Sequence, residues 1–180
     1  MEKSLEIIHT VLFRPRLAVK RLEQEQPLFT AMLVLLVAAF VECLGTLLVA
    51  RSTNGDPSSF MALGFGSVLN LIRFLFLIFV GSIFLPAAAR MVGGSGKVTG
   101  LAWVISLSFA VWTISFAMSL GFQLTPFAFW LRFVTHGLLT LWTFWIHVQG
   151  LSESHRISTL RAAFAAVSYT HLTLPTTPYV

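Results

Sequence analysis

The sequence predicts an all-α fold, a polytopic transmembrane helical bundle, from its composition, its apolar runs and its distribution of charge. Hydrophobic residues make up 56% of the chain and charged residues only 11%, whereas about a quarter of the residues in a soluble globular domain are charged. The mean hydropathy is +0.83. This composition gives more apolar surface than one small core can bury, so we expect a lipid bilayer to surround the protein.

Five spans are expected, of which the fifth is truncated. Three are long apolar runs, at residues 28–50, 98–120 and 127–148, of which the last carries Arg132, His136 and His147. Each can cross about 30 Å of hydrocarbon as a helix. The fifth begins near Ile157 and has only ten apolar residues before the composition changes after Ala166.

The second span is less regular than the others. Asp56 and Pro57 are typical of a helix start, and a helix from there to residue 89 exceeds the thickness of the membrane. We therefore expect a bend or an interfacial first half at Gly64 and Gly66, with the membrane core near residues 69–89.

Lysine and arginine residues are distributed unequally between the two ends of the predicted spans. Nine fall on one side, and Arg51 stands alone in the opposite loops. The nine are Lys3, Arg14, Arg16, Lys20, Arg21, Arg90, Lys97, Arg156 and Arg161. The positive-inside rule then predicts a multi-pass protein of the inner membrane with a cytoplasmic N-terminus. Because these cations lie beside apolar runs, no nucleic-acid partner is expected.

Residues 1–26 are too polar to enter the hydrocarbon core. Leu5, Ile8, Leu12 and Phe13 share one helical face, which predicts an N-terminal interfacial amphipathic helix on the cytoplasmic leaflet. The alternative is an ordinary soluble helix packed on the loops.

Three regions follow from these boundaries: a cytoplasmic amphipathic segment (1–26), a transmembrane domain (27–166) and a tail (167–180). Residues 167–177 resemble the in-frame translation of a transposon-derived sequencing adaptor. We therefore expect the tail to be non-native and exclude it from the fold.

The stretch RMVGGSGKVTG, residues 90–100, contains a glycine-rich loop. A phosphate loop requires glycine five residues before Gly96 and serine or threonine after Lys97, but Met91 and Val98 occupy these positions. The GGSG sequence matches the Gly-x-Ser-Gly pattern of rhomboid intramembrane proteases, with Ser95 as nucleophile and His136 as base. These two residues are expected to differ in depth by roughly two helical turns. A glycine turn between antiparallel helices is favoured, with Lys97 near the headgroups.

Ionisable residues inside the predicted spans form a second group of candidates, because a charge in a bilayer needs a partner. Glu42, Arg73 and Arg132 all fall in the outer half, and we expect Glu42 to pair with Arg73 or Arg132. A polar stripe follows the fourth span and lines either a polar pathway or a packed helix interface. Its members are Arg132, His136, Thr140, Thr143 and His147.

Metal and cofactor sites are not expected. The chain has one cysteine, Cys43, and His136 and His147 are about 16 Å apart along a helix, too far to share a metal ion.

The order of features resembles the Yip family of membrane proteins, named for binding Ypt/Rab small GTPases. The matching parts are FRPRLAVKRL, a proline before the first span, ARMVGGSGKVTG after the second, and LWTFWIHVQGLSESHRISTLRAAFAAV. The resemblance implies five spans and a cytoplasmic N-terminus. Eukaryotic relatives are associated with vesicle traffic, whereas the short segment before the first span favours a bacterial-type member.

These observations favour a non-enzymatic adaptor or scaffold in membrane organisation or trafficking. It would recruit an unknown protein partner at the cytoplasmic face through the N-terminal helix and two loops, and a homo-oligomer is left open. The loop candidates are Gly93, Gly94, Gly96, Lys97 and His155. The alternative is a small transporter or permease component that uses Glu42, Arg73, Arg132 and His136, and an intramembrane serine protease is a remote third hypothesis.

Overall fold

The computed structural model describes residues 2–54, 60–123 and 128–173. Within these residues the secondary structure is helical, with seven helices. They are α1 (Glu2–Phe13), α2 (Pro15–Glu25), α3 (Leu28–Asn54), α4 (Phe60–Met91), α5 (Val98–Gln123), α6 (Ala128–His155) and α7 (Thr159–Thr173). This agrees with the predicted all-α class.

Three of these helices are long and apolar enough to cross a membrane: α3 over Leu28–Gly45, α4 over Gly64–Met91 and α5 over Val98–Met118. Helix α6 has 28 residues and is long enough to span, but Arg132, His136 and His147 reduce its hydropathy. The expected count of five spans therefore stays a prediction.

Helix α5 lies at the centre of the bundle and packs against α3, α4 and α6. Leu101, Val104, Leu107 and Val111 are fully buried along it, at the three- and four-residue spacing of one helical stripe. Gly150 of α6 lies against Val104 so closely that a Cβ there would come within 3.0 Å of the valine side chain. This close approach brings α5 and α6 together near one end of the bundle.

Helices α1 and α2 pack on α5, and α2 also packs on α6. Val11 of α1 and Leu22 of α2 are buried in the same apolar cluster as residues of α3 and α5. Leu12 is also buried, whereas Leu5 and Phe13 are exposed. The predicted single face is therefore divided between the bundle and the surroundings, because apolar residues cover more than one stripe of α1.

The second and fifth predicted spans differ in detail from the expectation. Helix α4 is continuous through Gly64 and Gly66, and Asp56 and Pro57 lie outside the described residues. Helix α7 continues seven residues past Ala166, with its alanine-rich side against α4 and α6. The division of the chain at Ala166, and the non-native origin of residues 167–180, stay predictions.

Candidate functional site

A polar cleft lies where α2, the α4–α5 loop and the α6–α7 turn meet. We call this end of the bundle the basic end, because Lys20, Lys97 and Arg156 line the cleft there. The cleft has a volume of about 370 Å³. The full lining is Val19, Lys20, Glu23, Ser95, Gly96, Lys97, Glu153, Ser154 and Arg156.

The first residues of the glycine-rich loop terminate helix α4. Gly93 has a φ of 93°, a left-handed conformation that costs glycine little. The amide of Gly94 donates to the carbonyl of Ala89 over 2.9 Å, which is the six-to-one hydrogen bond of a helix end closed by a left-handed residue. The predicted glycine turn is therefore confirmed.

The same loop is held against the C-terminal end of α6. The amide of Ser95 donates to the carbonyl of His155 over 3.2 Å. At Gly96 a Cβ would overlap the carbonyl oxygen of Ser154 and the backbone of His155. Glycine is needed here for space, and the contact places Lys97 on the rim of the cleft.

The α6–α7 turn supplies the opposite wall. Arg156 has a φ of 54°, and the amide of Ile157 donates to the carbonyl of Ser152 over 3.1 Å. The hydroxyl of Ser152 returns a hydrogen bond to the carbonyl of Ile157 over 2.8 Å. This left-handed helix end fixes the backbone from which the Arg156 side chain reaches the cleft.

The charges around the cleft are mixed in sign. Lys20 of α2 and Glu153 of α6 form an ion pair of 3.1 Å, and Glu23 adds a second carboxylate. Lys97 and Arg156 make no ion pair within the part of the chain that the structure describes. Both cations are therefore available to a ligand.

His155 lies behind the cleft and is fully buried. Its Nδ1 is 2.8 Å from the hydroxyl of Ser154, and its Nε2 has no hydrogen-bond partner among the described residues. Burial, and secondarily the charge of Arg90, lower the pKa of His155 below its usual value. The packing of the two connecting segments around His155 therefore favours its neutral form.

Helix α2 is fastened to α6 and α7 by polar contacts. The guanidinium of Arg16 donates to Gln149 over 2.5 Å and to the hydroxyl of Thr159 over 2.6 Å. The indole of Trp142 donates to the carbonyl of Leu12 at the end of α1 over 3.0 Å. The N-terminal segment is thus part of the wall of the site.

Helices α1 and α2 are also joined to each other by charge. Arg21 bonds to Glu6 over 2.7 Å and to Glu25 over 2.8 Å. Its guanidinium lowers the pKa of both carboxyl groups, chiefly through these hydrogen bonds. The two helices therefore form one unit on the bundle.

The intramembrane candidates are located as follows. Glu42 of α3 and Arg73 of α4 form an ion pair, which is one of the two pairings that the sequence predicts. Arg132 lies on α6, but its side chain falls outside the described residues. His136 lies near Trp112 of α5, with ring centroids 6.2 Å apart and the rings tilted by 47°.

A further polar pair was missed by sequence reasoning. The hydroxyl of Ser108 on α5 is 2.9 Å from Nε2 of His147 on α6. The two residues line an apolar cavity of about 170 Å³. His147 belongs to the predicted polar stripe, but no local pattern identifies Ser108, which lies 39 residues away in the chain.

The protease geometry is not present at Ser95. Its amide contacts His155, and His136 lies 19 residues earlier on the same helix, about 28 Å along the axis. This is more than the two turns expected, and a serine and its base must lie within about 3 Å. The pair Ser95 and His136 therefore cannot act as nucleophile and base.

Metal ligands do not converge in the described parts of the chain. No group of three or more histidine, cysteine, aspartate or glutamate residues there could hold an ion. The candidate site is accordingly a cleft with fixed charges.

Comparison with known proteins identifies the family. The family model of the Yip1 domain matches residues 10–176, so the match begins inside α1 and continues beyond Ala166. Searches of curated proteins and of solved structures returned no significant match. With a family match over most of its length and three apolar helices of spanning length, the chain belongs to the Yip1 domain family and is an integral membrane protein.

Proposed function

We propose that this protein is a non-enzymatic, multi-pass adaptor that holds a protein partner in the polar cleft at its basic end. The observation that carries the proposal is the convergence of three separate segments on one cleft. Lys97 and Arg156 lie there beside Glu23 and Glu153 and make no ion pair with any residue that the structure describes. Charges of both signs at fixed positions favour a partner segment of complementary charge pattern.

The proposed orientation places this end in the cytoplasm of a bacterial cell, with five spans in the inner membrane. The excess of lysine and arginine at the basic end supports this orientation. Helix α6, packed against α5, then acts as the fourth span, and the alanine-rich α7, packed against α4 and α6, acts as the start of the truncated fifth span.

Site-specific photocrosslinking in cells tests the adaptor function. A photoreactive residue at Lys97 should give a discrete protein adduct, and a second change, Arg156→Glu, should remove it. The matched control places the same photoreactive residue at Lys3, which belongs to the basic end but does not line the cleft. Absence of an adduct at Lys97, or the same adduct from both positions, would contradict the proposal.

Point variants are preferable to a deletion of residues 1–26. Because Val11 and Leu22 belong to the bundle core, such a deletion would damage the fold and remove the partner for that reason alone.

A second candidate function is transport of a proton or small solute. It is supported by the Glu42–Arg73 ion pair and by the Ser108–His147 pair beside an apolar cavity. Ionisable groups inside membranes often mark such pathways. Proton- or solute-coupled flux in liposomes that is abolished by Glu42→Gln would favour transport over the adaptor.

A further inference from the structure

A second concave surface lies at the joint between α1 and α2, on the side of α6. It is a groove of about 170 Å³, and its apolar walls are Phe13, Leu17 and Trp145. These side chains are 54%, 61% and 40% exposed, respectively. Two aromatic rings and a leucine are thus partly exposed where the N-terminal helices meet the bundle.

The charge of this groove is purely positive. Arg14 and Arg16 line it, and among the described residues no carboxylate does. Arg16 is engaged by Gln149 and Thr159, so its charge is held in place. The side chain of Arg14 makes no hydrogen bond or ion pair within the described part of the chain. An anion is the complementary ligand, because arginine binds phosphate well.

The groove continues into an exposed apolar stripe on α6. The stripe has the three- and four-residue spacing of a single helical face and consists of Leu131, Val134, Leu138, Leu141 and Trp145. From residue 131 to residue 145 it is about 21 Å long, whereas one leaflet contributes roughly 15 Å of hydrocarbon. A chain of methylene groups can follow this stripe while its polar end stays in the groove.

The position of Trp145 supports a location of the groove at the edge of the membrane. Trp145 lies about 15 Å along the helix from the end of α6 at His155. Tryptophan is enriched at the boundary between headgroups and hydrocarbon. Arg14 and Arg16 line the groove together with Trp145, and we therefore expect them at the depth of the headgroups.

We propose that this groove binds one anionic phospholipid, with Arg14 on its phosphate, the glycerol region against Phe13 and Leu17, and an acyl chain along the α6 stripe. The joined acyl surface selects a lipid over free phosphate. The two arginines repel the cation of a zwitterionic headgroup, so the site selects an anionic lipid over phosphatidylcholine.

Native mass spectrometry of the purified protein tests this site. In micelles with equal amounts of phosphatidylglycerol and phosphatidylcholine, the wild type should retain one phosphatidylglycerol molecule in preference. Because a hydrogen bond to a charged group is lost, Arg14→Gln should weaken this binding by about tenfold. Leu17→Asn should weaken it as well, and since Leu17 is exposed, the melting temperature should not change.

Arg161→Gln is the charge-matched control, because it removes a cation of the basic end that does not line the groove. It should retain the lipid like the wild type. Equal retention of both lipids by the wild type would overturn the proposal. So would equal losses in Arg14→Gln and Arg161→Gln, or displacement of the lipid by millimolar inorganic phosphate.

Discussion

Glu42 and Arg73 illustrate how one ion pair can reduce the free-energy cost of placing two charges inside a membrane. The side chain of Glu42 is mostly covered by the bundle, whereas that of Arg73 is 50% exposed. The ion pair therefore offsets the free-energy cost of placing both charges in a bilayer, although Arg73 is not fully buried in the protein.

We expect Glu42→Gln to lower the stability of the detergent-solubilised protein by about 1 kcal/mol, because it removes the negative charge opposite Arg73. The decrease should appear as a lower melting temperature. The double variant Glu42→Gln/Arg73→Gln should recover part of the lost stability, because it removes both charges and leaves no unpaired arginine. An unchanged melting temperature in the single variant would show that the ion pair contributes nothing.

His155 is the residue at which pH should act on the basic end. Its folded-state pKa lies below the unfolded value of about 6.5, so the folded state binds this proton less readily than the unfolded state. The contribution of His155 to the free energy of unfolding is then fully present above about pH 6.5, and it is lost as the pH falls towards the folded-state pKa.

The melting temperature should therefore decrease between pH 7 and pH 5, and His155→Gln should make this decrease smaller. Equal slopes for the wild type and His155→Gln would contradict a contribution from His155.

At the scale of the elements, the α4–α5 loop and the α6–α7 turn fit together through glycine. We expect Gly96→Ala to destabilise the protein by about 1–3 kcal/mol, because its Cβ would overlap the backbone at Ser154. Gly137→Ala is the matched control, since no described atom outside the helix's own backbone lies within 4 Å of a Cβ at that position. It should be neutral or slightly stabilising, because alanine favours helix.

Thermal unfolding of both glycine variants tests whether the loss of stability comes from the close contact at Gly96 or from replacing any glycine by alanine. If Gly96→Ala melts like the wild type, the loop can separate from α6 without cost, and the cleft is not a fixed structure. Equal destabilisation of both variants would likewise contradict the role of this contact.

The elements also show what the sequence can predict. Helices α3, α4 and α5 follow from local hydropathy, because a span is defined by consecutive residues. The packing of α1 and α2 on the bundle does not follow, since an apolar face has the same composition whether it meets lipid or protein. Their polar contacts with the bundle include Trp142 and Gln149, which lie over 100 residues away in the chain.

The same limit applies to the candidate sites. The Glu42–Arg73 pair was predictable because a charge within a span requires a partner nearby. The Ser108–His147 pair and the cleft each join segments distant in the chain, and the spacing of residues along one helix does not specify which neighbour it faces.

At the scale of the whole molecule, the distribution of charge predicts the direction in which the bundle lies in the membrane. The basic end contains the α4–α5 loop, and α4 separates this loop from residues 55–59. If α4 crosses the membrane once, Ser95 and Ser58 lie on opposite sides. The positive-inside rule then assigns Ser95 to the cytoplasm.

Cysteine labelling tests this topology in a Cys43→Ala background, because Cys43 is the single cysteine of the chain. With the protein in a bacterial inner membrane, a membrane-impermeant maleimide added to intact spheroplasts should label Ser58→Cys and not Ser95→Cys. In inverted vesicles the pattern should be reversed, and Ser95→Cys is suitable because Ser95 is exposed. Labelling of both positions from one side would contradict a crossing by α4, whereas the opposite pattern would place the cleft outside the cytoplasm and exclude a cytoplasmic partner.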